Sequence, residues 1–119
     1  AKVEKTWGEE IRVGSLGTIS MKVLLLEKKK STTLKYYENK NEVLFVRKGC
    51  VLVEYDSEKF HWVEPGERYL KQQTLVGGDV FFVQSSCPYR LTAIEDTEII
   101  EIGDNNYAQS MKVDLNLEP

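Results

Sequence analysis

The feature that most constrains the fold is a succession of short runs rich in β-branched and aromatic residues, each followed by a turn signal. The runs are four to eight residues long, as strands usually are, and Gly49, Gly77-Gly78 and Pro88 are among the breakers between them. The predicted strands are Ile19–Leu26, Thr32–Tyr37, Val43–Arg47, Val51–Tyr55, Phe60–Val63, Val80–Val83, Tyr89–Ala93 and Glu98–Ile102. No window repeats apolar residues at helical spacing. The pattern therefore predicts an all-β protein, a sandwich or barrel with little helix.

Turn residues between the runs predict how neighbouring strands connect. Gly49 can supply the positive φ of a tight turn, so the runs on either side of it are predicted to form a hairpin. Residues 94–97 carry an acidic pair that suits a turn, and they predict a second hairpin. Residues 64–77 lack a clean period and are expected to be irregular with one short strand. Residues 111–115 alternate weakly and predict a last edge strand.

Composition excludes several classes of partner. The chain of 119 residues fits one domain over residues 1–119, and a net charge of -3 argues against nucleic acid as a partner. No apolar stretch approaches the roughly 18 residues that a membrane-spanning helix needs. The two cysteines, Cys50 and Cys87, do not form the dense disulfide framework of a small secreted protein. We therefore expect a cytoplasmic protein without a membrane partner.

Two segments resemble the two sequence motifs of the cupin superfamily. In the first cupin motif, two histidines one residue apart are followed by a glutamate and then a glycine. Here Lys35 and Tyr37 stand at the histidine positions, and four residues separate Tyr37 from Glu42. Six more residues separate Glu42 from Gly49, and Tyr89 stands where the second motif carries its histidine. The resemblance implies a double-stranded β-helix, that is, a jelly-roll barrel.

Further segments resemble one branch of that superfamily, the small cupin-type mannose-6-phosphate isomerases. Glu4–Gly8 resembles their Glu-Lys-Pro-Trp-Gly segment, and Met21–Leu24 fits the strand that follows it. Tyr89-Arg90 stands where they carry His-Arg, and Glu98–Ile102 resembles their closing strand. The resemblance covers nearly the whole chain, and it implies a single cupin domain.

The side chains at the positions of the metal ligands do not suit a metal. The Lys35 ammonium has no lone pair to donate, and phenols such as Tyr37 and Tyr89 have a pKa near 10 that makes them poor ligands. One carboxylate, Glu42, does not hold a divalent transition metal alone. The only histidine, His61, lies away from both motifs and is expected to be a packed or interface residue. We therefore expect no metal and no cofactor.

The substituted positions predict a polar pocket or a polar core. Lys35 and Tyr37 are two residues apart, so both point to one face of a strand. The Lys35 ammonium is expected to neutralise Glu42, either as a structural ion pair or as part of a pocket for hydroxylated or phosphorylated ligands. The resemblance implies that Arg90 belongs to the pocket, whereas strict alternation next to an inward Tyr89 points it outward. Both possibilities stay open.

Three functions follow from these residues. The first is a metal-free barrel that binds a sugar or sugar phosphate through Lys35, Tyr37, Glu42, Tyr89 and Arg90. The second is a sugar-phosphate isomerase or epimerase, with Glu42 as base and Tyr37, Tyr89 or Lys35 as acid. The third is a non-catalytic interaction or structural barrel. The resemblance to cupins, which commonly pair through exposed sheet edges, also implies a homodimer.

Overall fold

The computed structural model describes residues 1–56 and 70–113. The strands are β1 (Lys2–Lys5), β2 (Gly8–Leu16), β3 (Ile19–Leu26), β4 (Lys35–Tyr37), β5 (Glu42–Lys48), β6 (Cys50–Tyr55), β7 (Lys71–Val76), β8 (Val80–Val83), β9 (Tyr89–Ala93), β10 (Thr97–Gly103) and β11 (Ser110–Lys112). The described residues form no helix, and thus none that could cross a membrane. The predicted all-β fold is confirmed.

The strands form two antiparallel sheets. One sheet has six strands in the order β1-β2-β3-β10-β5-β8, and the other has five in the order β11-β4-β9-β6-β7. Strands that are consecutive in the sequence repeatedly change sheet: β4 pairs with β9, whereas β5 pairs with β8 and β10. This alternation between two facing sheets is the connectivity of a jelly roll.

Both predicted hairpins are wrong. β5 and β6 lie in different sheets, and so do β9 and β10, so each turn is a corner between sheets. Gly49 does adopt a positive φ of 107°, as a tight turn requires. A Cβ at Gly49 would lie 2.5 Å from the Asp96 carbonyl oxygen and 2.6 Å from Oγ1 of Thr97. The two corners therefore pack on each other, and only glycine fits at this point.

Strand positions agree with the sequence patterns in part. Ile19–Leu26, Val80–Val83 and Tyr89–Ala93 have the predicted bounds, whereas β1 and β2 were not predicted because their residues are largely polar. β7 falls within the stretch that was expected to be irregular with one short strand, and β11 overlaps the predicted last strand. The predicted strand Phe60–Val63, with His61, and residues 64–69 and 114–115 lie outside the described residues.

The apolar core lies between the sheets and ends in charged residues. Leu44 and Val46 of β5 and Ile99 of β10 are fully buried, as are Val51 and Val53 of β6. Each of these strands alternates inward and outward side chains, as the pleat requires. The same inward rows continue from Leu44 to Glu42 and from Ile99 to Glu101. The site is therefore built where two rows of the core change from apolar to ionisable side chains.

Candidate functional site

A cavity of about 320 Å³ lies between the two sheets, beside the apolar core. We call it the central cavity, and it is lined by Glu4, Lys5, Thr6, Trp7, Glu10, Lys22, Leu24, Thr32, Thr33, Lys35, Tyr37, Tyr89, Leu91 and Glu101. Leu24 and Leu91 belong to the inner faces of opposite sheets, and Trp7 packs against the core from the segment before β2. The cavity therefore has an apolar base and a polar wall.

Three of the residues predicted from the motif spacing meet in the central cavity. Lys35 and Tyr37 both line it, and they are separated by Tyr36, which does not. Lys35 is paired across the sheet with Tyr89, which brings the two motifs side by side. The Lys35 ammonium lies 5.6 Å from the centre of the Tyr37 ring. Strand alternation, used to place Lys35 and Tyr37 on one face, thus agrees with the structure.

Glu42 lies beneath the cavity and does not line it. Only 2% of the residue is exposed, and the Tyr89 hydroxyl donates a hydrogen bond of 2.9 Å to its Oε1. Its ion-pair partner is Lys40, whose Nζ lies 3.6 Å from Oε2 of Glu42. The expected partner, Lys35, acts on Glu42 only through longer-range charge. The sequence therefore predicted an ammonium beside Glu42 but named the wrong lysine.

Lys40 reaches the site from the turn between β4 and β5. Its side chain is 4% exposed, and its Nζ lies 4.4 Å from the centre of the Tyr37 ring. The chain of Lys40 runs past Gly103, where a Cβ would collide with its Cε. A lysine in a turn is normally solvated, and the glycine that makes room for it lies on a distant strand. No local sequence signal marks Lys40.

Glu101 adds a second carboxyl next to Glu42. Burial, repulsion from Glu42 and a hydrogen bond with Glu42 raise the pKa of Glu101 to about 8, against the opposing charges of Lys22 and Lys40. Oε2 of Glu42 is buried and receives no hydrogen bond from an N–H group or hydroxyl of the described residues. The proton that Glu101 keeps removes one of the two neighbouring charges and supplies a donor for the hydrogen bond with Glu42.

Glu10, Arg12 and Lys22 extend the charged cluster towards β2 and β3. Arg12 donates a 2.9 Å hydrogen bond from Nε to Oε2 of Glu10. Lys22 Nζ lies 3.6 Å from Oε1 of Glu10 and 4.0 Å from Oε2 of Glu101. Burial raises the pKa of Glu10, but the Arg12 hydrogen bond and the Lys22 charge outweigh it and hold that pKa below its usual value. Charged residues at inward positions of β2, β3 and β10 were the signal for this cluster in the sequence.

Burial also shifts the pKa values of the three side chains Lys35, Tyr37 and Tyr89, which face the cavity. The pKa of Lys35 is lowered by burial and by Lys22 and Lys5, and it is raised in part by Glu101 and Glu42. The pKa values of Tyr37 and Tyr89 are raised by burial and by the nearby Glu42 charge. Both phenols therefore stay protonated at neutral pH. The Tyr37 hydroxyl can donate a hydrogen bond to a ligand, whereas the Tyr89 hydroxyl already donates its proton to Glu42.

Arg90 lies outside the central cavity. Its Nε and Nη2 donate hydrogen bonds of 3.0 and 2.9 Å to the two carboxylate oxygens of Glu54 on the neighbouring strand. Tyr89 and Leu91 are buried on the inner face, so alternation places Arg90 on the outer face of the same sheet. The position implied by the resemblance is therefore corrected, and Arg90 is not part of the proposed ligand-binding set.

The side chains at the cupin metal positions do not fit a metal ion. Lys35 offers an ammonium, and Tyr37 and Tyr89 offer phenols that burial keeps protonated. The remaining carboxylate, Glu42, already accepts a hydrogen bond from Tyr89 and faces the Lys40 ammonium. Within residues 1–56 and 70–113, no three histidine, cysteine, aspartate or glutamate side chains are grouped to hold a metal ion.

The buried carboxyl pair predicts how stability depends on pH. The pKa of Glu101 is raised from 4.5 in the unfolded chain to about 8 in the fold. The folded state therefore holds more protons between these values, and its stability falls as the pH rises through that interval. We expect the Glu101→Gln variant to lose less free energy of unfolding than the wild type between about pH 5 and pH 9. Urea unfolding of both proteins measures this, and parallel pH curves would contradict the raised pKa of Glu101.

Comparisons with known proteins identify solved structures with a similar fold. No family model and no curated protein sequence matches the chain. Among solved structures, KdgF from a Halomonas species superposes with a TM-score of 0.72 and 15% identity, over 89% of this chain and 88% of that one. An oxalate decarboxylase from Lactobacillus farciminis gives a TM-score of 0.74 and 13% identity, over 95% of this chain and 33% of that one.

A third similar structure is described as a sugar phosphate isomerase from a cupin superfamily and comes from Silicibacter pomeroyi. Its TM-score is 0.69 at 14% identity, over 89% of this chain and 65% of that one. The finer resemblance to mannose-6-phosphate isomerases stays a prediction. Two facing sheets with jelly-roll connectivity, together with these superpositions, show that the chain has the double-stranded β-helix fold of the cupins.

Proposed function

We propose that the barrel binds a small polar ligand, a sugar or sugar phosphate, in the central cavity and without a metal. The observation that carries the proposal is the meeting of Lys35, Tyr37 and Tyr89 in that cavity, above the buried Glu42. The volume of the central cavity, about 320 Å³, falls at the lower end of the range of about 300–1,000 Å³ that is typical of small-molecule sites. The cavity thus suits a ligand of one or two small rings.

The wall of the cavity matches the chemistry of a sugar. Lys35 and Tyr37 provide donors, Glu10 provides acceptors, and the hydroxyls of Thr32 and Thr33 serve as either. Trp7 lines the same space with a large aromatic surface, which suits the apolar face of a sugar ring. Hydroxyl groups of a ligand therefore find both kinds of partner around them.

The charge of the cavity favours a ligand with an acidic group. Lys5, Lys22 and Lys35 line it together with three carboxyl groups, of which Glu101 keeps its proton below about pH 8. The ammonium groups therefore exceed the carboxylates at neutral pH. The similar structure from Silicibacter pomeroyi is described as a sugar phosphate isomerase, which supports a phosphorylated ligand for this fold.

Calorimetric titration with a hexose and with its 6-phosphate tests the proposal. The Lys35→Met variant keeps the length of the side chain but removes the ammonium. A hydrogen bond to a charged group is worth about 1.5–3 kcal/mol, so we expect the variant to bind roughly ten- to a hundredfold more weakly. Lys30→Met is the matched control, because Lys30 is exposed on the turn after β3 and does not line the cavity.

The outcome separates the candidate functions. Equal affinity of both variants and the wild type would show that the ligand does not bind in the central cavity. If the folded wild type binds neither sugar, the remaining candidate is a non-catalytic interaction or structural barrel. Circular dichroism of each variant shows whether a loss of binding reflects unfolding.

Catalysis is the second candidate, and one observation favours it. Glu101 lines the cavity and holds a proton at neutral pH, as a general acid must. The expected base, Glu42, is almost fully buried, is held by Tyr89 and Lys40, and does not line the cavity. Binding is therefore the function that the geometry supports best. The homodimer and the cytoplasmic location stay predictions.

A further inference from the structure

A second opening lies on the other side of Lys22 and Tyr37 from the central cavity. It has a volume of about 370 Å³ and is bordered by β2, β3 and the segment after β10. Its charged lining residues are Arg12, Lys22 and Lys40, and none of the described residues that line it is acidic. We call it the cationic recess. Ser15, Ser20 and Asn106 complete its polar lining.

We propose that the cationic recess binds a tetrahedral oxyanion, a phosphate or sulfate group, between Arg12, Lys22 and Lys40. Ammonium and guanidinium groups form charge-assisted hydrogen bonds with such oxygens, and a guanidinium can donate two at once. The serine hydroxyls and the Asn106 amide supply further donors. The inference concerns a site other than the central cavity, and it stands whether or not a sugar binds there.

Lys40 is the strongest reason for the proposal. Its side chain is 4% exposed, yet Glu42 Oε2 is 3.6 Å from its Nζ, beyond the about 2.7–2.9 Å of a charge-assisted hydrogen bond. Its Nζ also lies 4.4 Å from the centre of the Tyr37 ring, which is not a strong hydrogen-bond acceptor. An ammonium has three donors, and a buried one is costly to leave without acceptors. Oxygens of an anion in the recess would provide them.

The backbone of β2 shapes the recess around Arg12. The pairing of β2 with β3 shifts register between Arg12 and Gly14, as at a β-bulge, and bulges often redirect side chains beside binding sites. Arg12 uses Nε for Glu10, and its guanidinium carries five N–H donors in all. Gly14 has no atom within 4 Å of the place where a Cβ would stand, which keeps this side of the recess open.

The charge behind the recess does not cancel its cations at neutral pH. Arg12, Lys22 and Lys40 contact three carboxyl groups, those of Glu10, Glu42 and Glu101. Because Glu101 keeps its proton below about pH 8, it does not neutralise these cations, and the cluster carries an excess positive charge. This excess attracts an anion, and the recess is the cavity that all three cations line.

Titration with inorganic sulfate, followed by amide NMR at constant ionic strength set with sodium chloride, tests the proposal. Sulfate stays a dianion throughout the neutral range, so any pH dependence of its binding reflects the protein alone. We expect saturable shifts of amides around Ser15, Ser20 and Lys22, and Arg12→Gln should weaken binding about tenfold or more, since one charged hydrogen bond is lost. Arg47→Gln is the matched control, because both arginines have 58% side-chain exposure and one glutamate partner.

The results discriminate sharply. Sulfate binding that weakens in Arg12→Gln and not in Arg47→Gln supports the recess. Shifts that follow chloride equally well, or that weaken alike in both variants, overturn it. Titration with an unphosphorylated hexose keeps the two sites apart: sulfate binding without hexose binding supports the recess and counts against the proposed sugar site. Hexose binding without sulfate binding does the reverse.

Discussion

Replacement of Lys40 by methionine is expected to lower the free energy of unfolding by about 3–5 kcal/mol, because it leaves the buried Glu42 carboxylate without its cation. Methionine keeps the unbranched chain that runs past Gly103, so packing changes little. Domains are typically stable by only about 5–15 kcal/mol, so the loss should be evident in a single urea unfolding curve. The affected pair lies in the interior, with side-chain exposures of 4% and 1%.

A double-mutant cycle identifies the cause of that loss. Glu42→Gln removes the charge and keeps an oxygen that can accept the Tyr89 hydrogen bond. We expect the Lys40→Met/Glu42→Gln double variant to be less destabilised than the sum of the two single variants. Lys28→Met is the control, since Lys28 and Glu95 are also 3.6 Å apart but are more than half exposed. That control should cost about 1 kcal/mol or less. Equal losses for Lys28→Met and Lys40→Met would show that burial does not govern the Lys40 pair.

Three histidines should turn the site into a metal site. Lys35→His, Tyr37→His and Tyr89→His together, with Glu42 retained, provide three neutral imidazoles and one carboxylate, a set that suits divalent transition metals. Lys35 and Tyr37 share the cavity face, and Tyr89 lies directly opposite Lys35, so the imidazoles are expected to converge. We expect the triple variant to bind one equivalent of Zn²⁺ and to gain thermal stability from it.

Addition of Lys40→Met to the triple variant should strengthen metal binding further, because it frees Glu42 from its competing ammonium. The matched control adds Glu42→Gln in place of Lys40→Met, and it should weaken binding. Calorimetry measures stoichiometry and affinity in each background. A folded triple variant that binds no Zn²⁺ would show that the four positions do not converge as the pairing of β4 with β9 indicates.

The sequence determines the inward positions better than it determines their partners. Strand alternation correctly placed Lys35 and Tyr37 on one inner face, since the pleat acts within a few residues. It could have identified Glu101 in the same way, as an acidic residue in the row of Ile99. Lys40 could not be found so, because its burial depends on the missing side chain of Gly103 on another strand.

The connections between strands also depend partly on local residues and partly on distant ones. The turn at Gly49 was correctly expected to need a positive φ, because that requirement is set by the residue itself. Whether the next strand folds back or crosses to the facing sheet depends on its partners, and β6 finds them in β7 and β9. A turn signal alone does not distinguish a hairpin from a corner. Arg90 likewise depends on a distant partner, since it donates to Glu54 on the neighbouring strand β6.

We propose that the ammonium groups of Lys35 and Lys40 take the place of the metal that the cupin resemblance implies. Calorimetric titration of the wild type with Mn²⁺, Ni²⁺ and Zn²⁺, alongside Glu42→Gln, tests it most directly. We expect that neither protein binds a stoichiometric equivalent at this site, so that the two titrations are alike. One equivalent of metal bound by the wild type and lost in Glu42→Gln would contradict it.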